Sequence, residues 1–100
     1  MSYKIVWTKR AIENLQSIYD YICEDSQFQA QKVIKDIIEC VEVLESFPNM
    51  GVVVKEFPQY GLRELLKYSY RIIYKVKDSN VQIITIVHSK QNFKTAYYKH

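Results

Sequence analysis

Gly61 to Val76, GLRELLKYSYRIIYKV, is the stretch that leaves the chain least choice of fold. In its second part Tyr70, Ile72, Tyr74 and Val76 fall on one side, and Arg71, Ile73 and Lys75 on the other. Branched and aromatic residues at period two predict a strand with one packed face and one at least partly wet. The first part alternates too, with Arg63, Leu65 and Lys67 opposed to Leu62, Glu64, Leu66 and Tyr68. The break at Tyr68-Ser69 is short enough for a hairpin. Such a hairpin is expected to set several cations on one sheet face, the first place to look for a functional site.

The flanking chain supplies the cover this sheet needs. Tyr3 to Trp7 reads as a first strand, with Thr8 as a helix N-cap. Ala11, Ile12, Leu15, Ile18, Tyr19 and Ile22 then recur at helical spacing to about Glu24. Asp25-Ser26 breaks that helix, and Ser26 with Gln29 is the capping-box signature of a second. The second helix carries Ala30, Val33, Ile34, Ile37, Ile38, Val41 and Leu44 on one face and must end before Pro48. Asn49-Met50-Gly51 is a turn, and Val52 to Tyr60 has no clear period: three valines favour a strand, whereas Phe57-Pro58 favours a loop or edge. After a turn at 77–80, Val81 to Val87 is apolar on nearly every residue and suits a strand interior to the sheet. The order predicts a two-layer α+β domain, β-α-α-β-β-β, in which an α-helical hairpin packs on a small antiparallel sheet. The 100 residues form a single domain, 1–100, with no linker or repeat. A homodimer is compatible with the sequence, but no apolar stripe is expected to be left over once the core is assigned, so the sequence commits to no oligomeric state.

No run approaches the roughly 18 apolar residues of a membrane span, and the N-terminus has no signal-peptide pattern, so the expected location is cytoplasmic. Cys40 would sit ~20 Å along its helix from the interhelical turn while Cys23 lies beside that turn, so no disulfide is expected. The net charge of +3 is unevenly placed. Residues 1–50 hold five Lys/Arg against eight Asp/Glu, and residues 51–100 nine against three. The basic half could engage an anionic partner, or serve only as a solubilising surface.

Among chemistries, Cys23, Cys40, His88 and His100 lack the close spacings of a structural zinc site, and two glycines cannot build a phosphate loop. Neither a metal nor a cofactor is expected. Arg63, Arg71, Lys75 and Lys90 are the candidate binding cations. The arginines could clamp phosphate or carboxylate, or pair with Glu56, Glu64 or Asp78 and cover the sheet with their stems. His88 could act as a general acid or base, or end its strand bonded to backbone. Tyr97 and Tyr98 could stack on a base or pack the tail onto the sheet.

Five segments in this order carry a resemblance that spans Ile5 to about Phe93: VWTKRAIENLQSIYDYI at 6–22, LESFPNMG at 44–51, LREL at 62–65, YRIIYKV at 70–76 and ITIVHSKQNF at 84–93. Together they resemble the RelE/ParE superfamily of toxins from type II toxin–antitoxin modules, nearest its ParE branch. The resemblance implies a growth-inhibiting, plasmid-stabilising toxin held inactive by a cognate antitoxin whose flexible segment wraps it. In the ParE branch the implied target is DNA gyrase, inhibited by binding without chemistry. The alternative, in the RelE branch, is a metal-free messenger-RNA endoribonuclease acting in the ribosome. Aligned on Tyr70-Arg71, the ribonuclease set leaves Arg71 and Tyr97 in place, but its two lysines fall on Leu62 and Glu64 and its second arginine on Gln91, beside Lys90. A substitute catalytic set would draw on Arg71, His88, Lys90 and Tyr97, with Arg63 nearby. The missing lysines, the long helical hairpin, the Pro-x-x-Gly end of the second helix and the LREL strand favour the gyrase inhibitor over the enzyme.

Overall fold

The computed structural model describes residues 2–90 and orders them as β1 (Lys4–Trp7), α1 (Lys9–Cys23), α2 (Gln27–Glu42), β2 (Val52–Val53), β3 (Arg63–Lys67), β4 (Tyr70–Lys77) and β5 (Asn80–His88). Short 3₁₀ turns lie at Val43–Glu45 and Pro58–Tyr60. The two helices pack on one face of a five-stranded sheet of order β1-β5-β4-β3-β2. This is the predicted two-layer α+β arrangement, with the short β2 added. The helical hairpin carries the chain from one sheet edge to the other. Antiparallel pairings from β2 to β5 then walk back until β5 lies beside β1. That last pairing is parallel, so the sheet is mixed where an antiparallel one was expected. β5 is interior, as its unbroken apolar run predicts. No helix among the described residues is long and apolar enough to cross a membrane.

Local chemistry sets the ends of these elements. Thr8 and Ser26 cap α1 and α2 by accepting from the backbone N–H groups of Ala11 (3.2 Å) and Gln29 (3.1 Å). Tyr68-Ser69 and Asp78-Ser79 are two-residue hairpin turns, and each holds one residue at positive φ: Tyr68 at 55° and Asp78 at 56°. The main core lies between the layers. Ala11, Ile18, Ile37, Val41 and Leu44 meet Leu65, Ile72, Tyr74, Val81, Ile83 and Ile86 there.

A bulge in β5 keeps that core continuous. Ile73 pairs with Thr85 but Tyr74 pairs with Ile83, so Ile84 has no partner on β4. Val81 and Ile83 face the helices before the bulge, and Ile86 faces them after it. Helix α1 satisfies the disturbed backbone. The Thr8 hydroxyl donates to the Ile83 carbonyl at 2.6 Å, with that of Ile84 at 3.0 Å. Asn14 Oδ1 accepts from the Thr85 hydroxyl (2.8 Å) and the Ile86 N–H (2.9 Å).

Tyr74 joins the layers at the other end. Its fully buried hydroxyl donates to the Pro48 carbonyl (2.8 Å) and accepts from the Gly51 N–H (2.9 Å). The Pro48-to-Gly51 turn is thus sewn to the middle of β4. A Cβ at Gly51 would lie 2.6 Å from the Glu64 carbonyl oxygen and 2.7 Å from the Tyr74 hydroxyl, so no larger residue fits. Tyr74→Phe is expected to cost about 1–3 kcal/mol, because a buried N–H and a carbonyl lose their partner. Gly51→Ala should cost a similar amount through overpacking, about 1–3 kcal/mol. The double variant should cost less than the sum, since both changes act on one hydroxyl. Urea unfolding of the three variants measures this.

Candidate functional site

Paired residues on neighbouring strands share a face, so the register decides which cations can act together. Arg63 and Lys67 pair with Tyr74 and Tyr70 and lie on the helix side of the sheet. Arg71 and Lys75, at odd positions of β4 with Ile73, lie on the opposite side. The expected gathering of cations on one face is therefore split in two by the pairing.

The face away from the helices is partly covered. Residues 54–60 cross it as a strap, with Val54 and Phe57 buried against Leu62 and Ile73, and Ile84 packed alongside. The irregular period of Val52 to Tyr60 follows from this, since only Val54 and Phe57 turn inward. Beside the strap, Arg71 is held by two carboxylates. Its Nη1 and Nη2 donate to Glu56 at 2.8 and 3.0 Å, and its Nε and Nη2 donate to Glu64 at 3.0 and 2.6 Å. Two of its side-chain edges are thus engaged in forked contacts. The Arg71 and Glu64 side chains are only 14% and 16% exposed, and Glu56, from the strap, 29%. The hydrogen bonds that Arg71 donates to Glu56 first and Glu64 second raise its already high pKa further, so it is a permanent cation.

The other sequence-predicted residues are dispersed. Arg63 Nη1 donates to the carbonyls of Gly51 (2.7 Å) and Asn49 (3.3 Å), bracing the same turn that Tyr74 holds. His88 pairs with Tyr70 and lies edge-on to its ring at 5.6 Å, on the helix side. Its Nδ1 accepts from the Lys90 N–H at 3.1 Å, the backbone-bonded alternative foreseen for it. Arg71 pairs instead with the row of Val87, on the other side of the sheet. Arg71 and His88 thus do not converge on one reacting atom. Lys75 is half-buried and Lys90 exposed. Tyr97, with Gln91, Phe93, Tyr98 and His100, lies outside the described residues. Both cysteines are free thiols, and burial pushes the Cys40 thiol above its ordinary range, away from a reactive thiolate. No group of three potential metal ligands occurs among the described residues.

Two features had no signal in the sequence. Asp36 on α2 accepts from the Tyr68 hydroxyl at the hairpin tip and from Lys32 Nζ at 3.2 Å, which fastens the tip to the helix. The Tyr68 contact, and then Lys32, hold the Asp36 carboxyl below its ordinary range. The second feature is apolar. Contrary to the expectation that no stripe is left over, Ile12, Leu15, Tyr19 and Ile34 line a shallow groove of about 280 Å³ between α1 and α2, with Ile12 54% exposed.

Comparison with known proteins gives one consistent result. Residues 5–93 match the family model described as the ParE toxin of the type II toxin–antitoxin system parDE. Toxin RelE2 of Caulobacter vibrioides is 33% identical over 87 residues, which is 86% of this chain and 94% of that protein. The chromosomal ParDE toxin–antitoxin system from P. aeruginosa contains a chain with a TM-score of 0.75 and 29% identity, covering 89% of this chain and 98% of that one. A chain of the toxin–antitoxin complex RelBE2 from Mycobacterium tuberculosis shares the fold at a TM-score of 0.64 and 18% identity, over 88% of this chain and 99% of its own.

Arg71→Ala would leave two facing carboxylates without their shared cation and is expected to destabilise the protein by about 1–3 kcal/mol, below the range for fully buried pairs. Glu56→Ala should cost less, because Glu64 still pairs with Arg71. Denaturant unfolding of both variants checks the order. Tyr68→Phe should raise the Asp36 pKa towards its ordinary value. The stabilisation that Asp36 contributes is present above that ordinary value and is lost as pH falls through the lowered folded one. A carboxyl-carbon NMR titration of wild type and variant reads the shift directly.

Proposed function

Because the chain belongs to the ParE toxin family of type II toxin–antitoxin systems, we propose that it acts as a ParE-like toxin that inhibits DNA gyrase by binding it, and is neutralised by a cognate antitoxin. The observation that carries this reading over the ribonuclease is the state of Arg71. Metal-free RNA cleavage needs cations aimed at the crowded phosphate and a proton-transfer group beside them. Here Arg71 is forked by Glu56 and Glu64, and the Glu64 carboxylate lies where a phosphate would be repelled. His88 is on the other side of the sheet. A binding toxin requires no such convergence.

On this reading Arg71 and Arg63 fasten the strap and the 48–51 turn, while Lys75 and Lys90 offer cationic contacts to anionic groups of the partner. The antitoxin is a segment partly disordered alone that orders on contact. The groove of Ile12, Leu15, Tyr19 and Ile34 takes its apolar side chains, and acidic antitoxin residues meet the basic half of the chain.

Induction in a sensitive host, with pulse labelling of DNA, RNA and protein synthesis, tests the target. DNA synthesis is expected to stop first, with filamentation, and purified gyrase should lose supercoiling activity on addition of the protein. His88→Ala should leave toxicity intact. An early stop in protein synthesis with messages cut inside translated frames would overturn the gyrase reading in favour of the ribonuclease.

A further inference from the structure

The face away from the helices has a second end, which the strap's charged contacts do not reach. Lys4 on β1 and Lys77 on β4 both pair with Asn80 of β5, so the three form one row across the sheet. Val6 and Lys75 both pair with Gln82 in the next row. Lys4, Lys75 and Lys77 therefore stand on one face, within two rows and three adjacent strands, about 7–12 Å apart at the backbone. The two glutamates placed on this face are both spent on Arg71. Among the described residues none of the three lysines is in an ion pair, and the nearest carboxylate in sequence, Asp78, is in the exposed hairpin turn. The neighbours Asn80 and Gln82 are neutral amides.

We propose that this lysine row binds the phosphate backbone of duplex nucleic acid without regard to sequence. The chemistry of the row favours that partner over an acidic peptide. Lysines are point charges that neutralise phosphates, and side-chain amides hydrogen-bond phosphate and sugar. A peptide would also need an apolar anchor pocket, and the two rows offer only Val6. A single strand would need an aromatic platform for its bases, and the two rows hold no aromatic. The surface reads charge and shape alone. This goes beyond gyrase inhibition and does not depend on it, because the bare duplex is the ligand.

The full chain is titrated with a mixed-sequence DNA duplex by NMR and by fluorescence anisotropy. Amide shifts are expected at Lys4, Val6, Lys75, Lys77 and Gln82. With three phosphates neutralised, affinity should fall about 40-fold between 50 and 200 mM salt. The variant Lys4→Gln/Lys75→Gln/Lys77→Gln should keep the wild-type circular dichroism and lose this salt-dependent binding. Lys32→Gln/Lys35→Gln, on α2, should bind as wild type. Shifts confined to the Arg71 end or the helices, equal binding by the triple variant, or a row that responds to a poly-glutamate peptide but not to the duplex would each overturn the assignment.

Discussion

The bulge at Ile84 decides which side chains of this protein can meet. Alternation along a strand admits no half measures: one inserted residue reverses the face of everything that follows. Here it lets β5 present Val81 and Ile83, then Ile86, to the same helices. An extra residue leaves backbone groups without ladder partners, and a buried bulge would be costly unless they were paired elsewhere. Thr8 and Asn14 meet that cost from α1. The first helix is therefore not only a hydrophobic cover. Its cap residue and its second turn are bonded to the one irregular point of the central sheet, and they fix where His88 emerges.

Tyr74 and Arg71 do for the other end of the sheet what Thr8 and Asn14 do for β5. Tyr74 faces the helices and binds the turn that follows them, and Arg63 adds two bonds to the same turn. Three positions apart on β4, Arg71 faces the other way and binds the strap through Glu56. A partly buried ion cluster of this kind gains little net stability, because desolvation offsets much of the Coulomb attraction. Its effect is positional. The strap's apolar grip is confined to Val54 and Phe57, and the forked carboxylate of Glu56 fixes its course between them and β3.

Much of this was legible in the sequence, for reasons specific to each element. Both helices, β3 and β4 announce themselves because apolar residues recur on one face with the period of the element, and β5 because an interior strand buries both faces and reads as an unbroken apolar run. The caps Thr8 and Ser26 are readable because capping acts over three residues. What period and local chemistry cannot carry is register. Whether Arg63 and Arg71 share a face depends on strand pairing, and the fate of His88 depends on a bulge whose partners are more than 70 residues away in the chain. The strap was opaque for the opposite reason, since it buries only Val54 and Phe57, too few residues to set a period. Glu56 and Glu64 had been foreseen as partners of Arg71, but not that both would hold it at once.

These constraints bear on what the face away from the helices can do. The framework of bulge, caps and turn positions the face away from the helices, and the charges set there determine what it can do. A carboxylate at 64 and another at 56 convert an arginine that could hold a phosphate into a structural tie. To free it for chemistry the protein would have to break two forked pairs and expose the small core beneath the strap. The positive charge that remains available on that face is displaced to the far end of β4 and β5, around Lys4, Lys75 and Lys77, where no proton-transfer group accompanies it among the described residues. A surface of that kind can attract and hold an anionic partner.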